Sequence, residues 1–138
     1  ELAEQAAKAR HQVLVDEAEG GGRAIYVADH IPVKRFFFAA NSILKQGRAA
    51  ATEEQDLERS FVLLLRFTTF VIDLLPTHSG FSKADVAAER KQLKKECGRV
   101  LGDLEPMKVA LLDRFTTEAE ARLLSERERE KEQEQQAA

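Results

Sequence analysis

Residues Asp56 to Pro76 read DLERSFVLLLRFTTFVIDLLP, and this segment decides the fold that the sequence predicts. Almost every position is apolar, and the polar residues that recur at helical spacing are Arg59, Arg66 and Asp73, each seven residues after the last. Residues at this spacing share one face of an α-helix, so they form a narrow polar stripe. A helix that is apolar around the rest of its circumference must be covered on more than one side. We therefore predict that this segment is the central helix of an all-α, antiparallel bundle.

The segment before the central helix predicts a second helix, from Pro32 to about Glu53. Proline is favoured in the first turn of a helix, where its missing N–H costs no hydrogen bond. A core-facing stripe follows at spacings of three and four, formed by Val33, Phe36, Phe37, Ala40, Ile43, Leu44, Gly47 and Ala51. Two N-cap signals compete for the start of the central helix: Thr52 with Gln55 forms a capping box, and Asp56 is a good N-cap by residue type. Either choice leaves a short connection, so the two helices are predicted to be antiparallel neighbours.

The last third of the chain predicts one long helix that contains a proline. Ser82, with Asp85 three residues later, marks its N-terminus. The apolar residues that follow keep a spacing of three or four straight across the proline: Leu93, Cys97, Val100, Leu104, Met107, Leu111, Phe115, Ala119 and Leu123. A true break would usually shift this phase, so we predict one helix kinked between Gly102 and Pro106. Residues 125–138 have no apolar face and are either a solvated helical extension or disordered.

The first residues of the chain predict a helix from Glu1 to Glu19 that is rich in strong helix formers. Its expected apolar seam consists of Leu2, Ala6, Ala9 and Val13. Gly20 to Gly22 end this helix because three glycines carry a large entropic cost, and Arg23 to His30 are predicted to form an extended linker. The predicted organisation is an N-terminal helix and glycine hinge (residues 1–22), a helical bundle (residues 23–124) and a charged extension that is helical or disordered (residues 125–138).

The composition argues against several classes of function. The chain has 138 residues and a net charge of −3, so no excess of either sign predicts nucleic acid or an anionic membrane as the main partner. The stretch from Phe61 to Leu75 contains both Arg66 and Asp73, so we expect no membrane insertion. The only cysteine, Cys97, lies on the apolar seam of the long helix, which indicates a buried thiol and a reducing, intracellular context. A start at Glu1 rather than methionine indicates a fragment of a longer protein.

No set of side chains in the sequence predicts catalysis, a cofactor or a metal site. The three histidines, His11, His30 and His78, lie in three different segments, and none has a second ligand at a metal-binding spacing. We expect all three to be surface or helix-edge residues. The glycine triplet lacks the GK[ST] ending of a phosphate loop. The prediction for these residues is a protein-interaction module without catalytic activity.

The candidate binding surface is a groove between the central helix and the long helix. An apolar floor with charged rims suits an amphipathic helix from another protein, because buried apolar side chains supply affinity and rim charges set the register. From helical phase we assign the following partner-binding residues: Val62, Arg66, Thr69, Asp73, Glu89, Leu93 and Glu96. An alternative is that these residues are ordinary core and rim, covered by the N-terminal helix. The sequence leaves open whether that helix packs on the bundle or fills the groove.

The segments IPVKRFF (residues 31–37) and EEQDLERSFVLLLRFTTFVIDLLPTH (residues 53–78), followed by a long helix with a central proline, resemble a known family. They are similar to the N-terminal region of the AMSH family of JAMM-type deubiquitinases, and to the dimerisation segment of an endosomal ubiquitin-specific protease. The resemblance covers residues 29–128 and favours Asp56 over Thr52 as the N-cap. The catalytic JAMM signature, an upstream glutamate and an HxH followed by serine and aspartate, is absent from this sequence.

The resemblance implies a function as well as a fold. It implies a MIT-like bundle that binds the C-terminal amphipathic helices of ESCRT-III subunits, in the cytoplasm at endosomes, within a full-length zinc JAMM-type deubiquitinase. A homodimerisation module is the main alternative. In this alternative two copies bury Leu65, Leu74, Phe38 or the seam of the long helix against each other. It is motivated by the excess of apolar surface on the central helix, where Leu65 and Leu74 lie at positions that would be polar on an exposed flank, and Phe38 points away from the seam of its own helix.

Overall fold

The computed structural model describes residues 1–20 and 27–137. Within these residues the chain forms four α-helices and no β-strand: α1 (Leu2–Ala18), α2 (Val33–Thr52), α3 (Leu57–Thr69) and α4 (Ala87–Ala137). A π-helical segment (Phe70–Leu74) and a 3-10 turn (Leu75–Thr77) continue α3, and a second 3-10 turn (Ala84–Val86) precedes α4. The predicted all-α bundle is confirmed. Residues 21–26, which belong to the predicted glycine hinge and linker, lie outside the described residues.

The start of α3 is fixed by Asp56. Its carboxylate Oδ1 accepts a hydrogen bond of 3.0 Å from the backbone N–H of Arg59, which satisfies one of the unpaired donors of the first turn. Thr52 instead ends α2, and its hydroxyl donates to the carbonyl of Arg48. Asp56 is therefore the N-cap, as the resemblance implied, and the capping-box alternative at Thr52 is wrong.

The α2 and α3 helices approach each other closely at Gly47. The hydroxyl of Ser60 on α3 donates a hydrogen bond of 2.8 Å to the carbonyl oxygen of Gly47 on α2. A Cβ atom at position 47 would lie 2.7 Å from Leu64 Cδ2 and 3.3 Å from Leu63 Cβ. No larger side chain fits without movement of a buried leucine, so the small residue at this position sets how closely the two helices pack.

The central segment lies in the middle of the bundle, as predicted. Phe67, Phe70 and Leu75 are almost completely buried, and α1, α2 and α4 all contact α3. By length and composition alone, the run Leu57–Thr77 is also apolar enough to cross a membrane, although it contains Arg66 and Asp73, and 56% of the apolar window is buried inside the bundle. Burial among three other helices accounts for this composition, since a helix covered on several sides is apolar on all of them.

The prediction of one regular α-helix from Asp56 to Pro76 is wrong for its last third. The N–H of Leu75 donates to the carbonyl of Phe70, a bond over five residues that is typical of a π-helix. Pro76 supplies the physical reason. It has no N–H for the carbonyl of Ile72, and its ring clashes with that carbonyl in a regular α-helix, so the last turns rearrange.

The α4 helix runs without interruption through Pro106 to Ala137, which confirms the prediction of a single long helix. Its predicted start is wrong, because Lys83 and not Ser82 precedes the 3-10 turn Ala84–Val86, and no side chain among the described residues caps that turn. The buried face of α4 consists of Leu93, Glu96, Cys97, Val100, Leu104, Leu111, Phe115 and Ala119. Residues 125–137 form a solvated helical extension in which every residue is exposed, so the disordered alternative does not hold for them.

The α1 helix packs on the bundle, against α4 and to a lesser extent against α3. The seam predicted from the sequence is wrong by one residue, since Leu2 and Val13 are 69% and 62% exposed. The residues that α1 buries are Ala3, Ala7, His11, Leu14 and Ala18. Both stripes contain at least two alanines, so the sequence offers little contrast between them, and contacts with distant residues decide which one faces inward.

Candidate protein-interaction site

An open groove of about 670 Å³ runs between the end of the central segment and the first four turns of α4. We call it the open groove. Its lining residues are Val71, Ile72, Pro76, Phe81, Ala87, Arg90, Lys91, Leu93, Lys94, Cys97, Gly98 and Leu101. A groove beside the central helix, between it and the long helix, is therefore present. On the central segment it lies further along than the sequence indicated, and on α4 it extends to both sides of residues 89–96.

The floor of the open groove is apolar. Val71, Leu93 and Cys97 are buried at its base, while Ile72 and Leu101 are 52% and 48% exposed along its sides. Burial raises the pKa of the Cys97 thiol, so this side chain stays neutral at the base. Exposed large apolar side chains that adjoin a groove are typical of a surface that binds a partner.

The charged rim of the open groove is basic and belongs entirely to α4. Arg90 is held in place, because one guanidinium nitrogen, Nη1, donates to the carbonyls of Phe81 and Lys83 at 2.7 and 3.1 Å. Lys91 and Lys94 are exposed on the same rim. No acidic side chain lines the open groove in the part of the chain that the structure describes. The arrangement suits an amphipathic helix with an acidic face, because complementary charges direct the encounter and set the register.

Of the seven residues assigned from the sequence, Val62 and Arg66 lie beside α1, and Thr69 does not line the open groove. Val62 is buried beside Leu14 of α1, and one terminal nitrogen of Arg66 donates a hydrogen bond of 3.1 Å to the carbonyl of Glu17. Thr69 is half-buried at the end of α3. The α1 helix thus covers the first part of the predicted surface and leaves the later part open.

The other four assigned residues are spread over three places. Leu93 lines the open groove, and Asp73 and Glu89 are exposed but do not line it. Glu96 is buried on the α2 side, where its carboxylate accepts a hydrogen bond from Arg48. That hydrogen bond lowers the pKa of Glu96, although burial opposes the effect. The structure therefore does not bring the seven residues together at one open surface.

The sequence analysis missed most of the open groove for a physical reason. A π-helix turns by fewer degrees per residue than an α-helix does. Ile72 and Asp73, which lie in the π-helical segment, therefore point in different directions from those that a regular α-helix would give them. On α4 a signal was present, since Arg90, Lys94, Cys97 and Leu101 follow at spacings of four, three and four.

Two of the three histidines are not surface residues, contrary to the prediction. His78 is buried, where its Nε2 lies 2.7 Å from the carbonyl oxygen of Ile31 and its Nδ1 accepts a hydrogen bond from the N–H of Gly80. His11 is buried on the inward face of α1. Only His30 is exposed. No group of three metal-binding side chains occurs within the described ranges.

The surfaces that motivated self-association differ in exposure. Leu65 and Leu74 are half-buried and pack against the core, so they do not form an apolar flank. Phe38 is 77% exposed on α2, in agreement with its predicted direction. Of these three side chains only Phe38 is exposed enough to contact a second copy, and the seam of the long helix is mostly buried within the bundle.

Comparison with known proteins assigns this helical architecture to a family. The sequence profile of the USP8 dimerisation domain matches residues 7–118, which is most of the chain. The chain belongs to the USP8 dimerisation domain family. The matched range includes most of α1, so the family's domain contains both the open groove and the helix that lies beside it.

Curated relatives of this member of the USP8 dimerisation domain family confirm the resemblance to AMSH proteins. The STAM-binding protein of Rattus norvegicus is 28% identical over 99 residues, which are 72% of this chain and 23% of that protein. The STAM-binding protein-like A of Danio rerio is 24% identical over 106 residues, 77% of this chain and 25% of that protein. The AMSH-like ubiquitin thioesterase 3 of Arabidopsis thaliana is 27% identical over 86 residues, 62% of this chain and 17% of that protein. The chain spans about a quarter or less of the length of these relatives.

Proposed function

We propose that this chain is a protein-interaction module that binds the C-terminal amphipathic helix of an ESCRT-III subunit in the open groove. Its role would be to recruit an AMSH-type deubiquitinase to endosomes from the cytoplasm. The relatives include proteins named ubiquitin thioesterases, which supports a full-length zinc JAMM-type deubiquitinase whose catalytic residues lie outside this chain. The sequence here carries no JAMM signature, so binding and not hydrolysis is the proposed activity of these residues.

The observation that carries this proposal is the pairing of an apolar floor with a one-sided basic rim. Ile72 and Leu101 supply exposed apolar surface, and Lys91 and Lys94 supply charge along one edge. A helix with leucines at spacings of three and four and acidic residues on the neighbouring face satisfies both features at once. The volume of about 670 Å³ holds several apolar side chains of such a helix, which a flat surface would not.

Charge reversal on the rim tests this proposal. We expect Lys91→Glu with Lys94→Glu to weaken binding of an acidic ESCRT-III tail peptide by about tenfold, or roughly 1.4 kcal/mol, because two favourable rim contacts become repulsive. Isothermal titration calorimetry with the 138-residue chain measures the effect. Glu89→Lys is the matched control, since Glu89 is exposed on the same turns of α4 but does not line the open groove. Equal affinities of the double variant and the unchanged chain would remove the rim from the site.

A second candidate function, homodimerisation, is favoured by two specific observations. The family is described as a dimerisation domain, and Phe38 is 77% exposed on α2. Phe38 lies on a different helix from those that form the open groove, so one copy of the chain can use both surfaces.

Sedimentation velocity at several concentrations tests this second function. If two copies meet through Phe38, the sedimentation coefficient rises with concentration, and Phe38→Ser lowers the dimer fraction because a buried aromatic anchor is lost. The fold should keep its stability, since the side chain is mostly exposed. A chain that stays monomeric at the highest concentration argues against this function.

A further inference from the structure

The surface of α3 and α4 on which α1 lies, which we call the seat of α1, continues the open groove along one face of α4. The open groove uses Arg90, Lys94, Cys97 and Leu101, which follow at spacings of four, three and four. The same alternation then continues through Leu104, Lys108, Leu111 and Phe115. Residues at this spacing form one continuous stripe that turns around a straight helix by only about 20° every seven residues. The first half of the stripe is open, and the second half lies in the region that α1 covers.

Contacts of α1 locate it over this second half. The ring of His11 lies 5.1 Å from that of Phe61 on α3, and the guanidinium carbon of Arg10 lies 4.0 Å from the centre of the Phe115 ring on α4. The Arg10 guanidinium also pairs with Glu58 on α3 and Glu118 on α4. The α1 helix therefore already covers the second half of the stripe, and Arg10 links it to acidic groups on both α3 and α4.

The α1 helix buries little apolar surface against α3 and α4. Three of its five buried residues are alanines, which bury far less apolar surface than leucines would at the same positions. The buried Nδ1 atom of His11 has no hydrogen-bond partner among the described residues, which is a cost of keeping α1 in place. Gly20 follows α1 with a φ of 128°, a backbone conformation in which the chain can turn away from the helix at little cost.

We propose that α1 is a displaceable cover, and that one long partner helix occupies the open groove and the seat of α1 together. This inference rests on the proposed function, because it extends the same helix beyond the open groove. The charges specify the partner's chemistry: acidic residues over Lys91 and Lys94, and a basic residue at the far end, where Arg10 now meets Glu58 and Glu118. From Lys94 to Glu118 is 24 residues of α4, so the partner helix is about 36 Å long at 1.5 Å per residue.

Two synthetic helices test this inference on the 138-residue chain. The short probe has about 12 residues, with leucines at spacings of three and four and glutamates on one flank, and it matches only the open groove. The long probe continues the same pattern to about 24 residues and ends in lysines. Hydrogen exchange of the α1 amides, followed by mass spectrometry, reports whether α1 leaves its seat. We expect the long probe to abolish the protection of residues 2–18 and the short probe to leave it unchanged.

Substitution of Arg10 is a second, independent test of whether α1 is displaced. Arg10→Glu places a like charge against Glu58 and Glu118, so we expect it to raise the affinity for the long probe by about tenfold and to leave the short probe unaffected. Val13→Glu is the matched control, because Val13 lies on the outward face of the same helix. A long probe that binds without loss of α1 protection overturns the inference and leaves the proposed function intact. Failure of both probes to bind contradicts the proposed function and this inference together.

Discussion

At the scale of single residues, the two buried histidines have opposite environments. Both ring nitrogens of His78 contact backbone groups, which joins the segment before α2 to the loop before α4. The ring of His11 instead has an Nδ1 atom without a partner in the described part of the chain. Neither role was predictable from the sequence, because the contacts of His78 with Ile31 and of His11 with Phe61 join residues far apart in the chain.

Burial lowers the pKa of His11 below its ordinary value of 6.5, and the positive charge of Lys108 lowers it further, while Glu105 opposes the shift. The unfolded chain therefore binds a proton more readily than the folded chain. By linkage, the contribution of this group to stability is complete above pH 6.5 and falls as the pH drops from 6.5 through the lowered pKa. The lowered pKa of Glu96 affects stability only in a more acidic range, because its ordinary value is 4.5.

We predict that His11→Leu removes the His11 contribution to the pH dependence. Between about pH 7.5 and about pH 5.5 the unchanged chain should lose stability relative to the variant, because only the unchanged chain can protonate this buried position on unfolding. Urea unfolding of both proteins at several pH values measures the difference. Parallel pH profiles for the two proteins would show that His11 does not titrate differently on folding.

At the scale of elements, clear apolar spacing predicted the buried faces of α2 and α4, and prediction failed where the two faces had similar composition or where the helix rearranged. The residues alone left Asp56 and Thr52 as competing N-caps, and the hydrogen bond from Arg59 identifies Asp56 as the cap. The spacing across Pro106 predicted a continuous α4. The seam of α1 was not predictable, because alanines lie on both candidate faces. The π-helical segment has no clear sequence signal besides Pro76, and it displaced the part of the site that depended on helical phase.

The contact between α2 and α3 yields a prediction about Gly47. Gly47→Val should destabilise the fold by about 1–3 kcal/mol, because its side chain overlaps the buried Leu64 and forces the two helices apart. Gly102→Ala is the matched control, because a Cβ atom there meets nothing within 4 Å and helix propensity alone should stabilise the fold by up to about 1 kcal/mol. Chemical denaturation measures both. Equal effects of the two substitutions would contradict close packing at Gly47.

At the scale of the whole molecule, the bundle is a scaffold that presents separate surfaces. Packing of α1, α2 and α4 around the central segment leaves the open groove at one end, between residues 71–76 and 87–101. Phe38 is exposed on α2, and the solvated extension of α4 continues past the last buried residue, Ala119. The all-α class and the position of the central helix followed from composition and periodicity. The exact lining of the open groove did not, since it depends on where α1 ends and on how the helix rearranges before Pro76.

The most direct test of the proposed function is a nuclear magnetic resonance titration of the 138-residue chain with the C-terminal helix of an ESCRT-III subunit. We predict that the largest changes in backbone amide signals centre on Ile72, Lys94 and Leu101, which line the open groove. Signals of Phe38 on α2 should not change. Changes centred on Phe38 or on the Arg48 and Glu96 pair, or no change with any ESCRT-III tail, would contradict helix binding in the open groove.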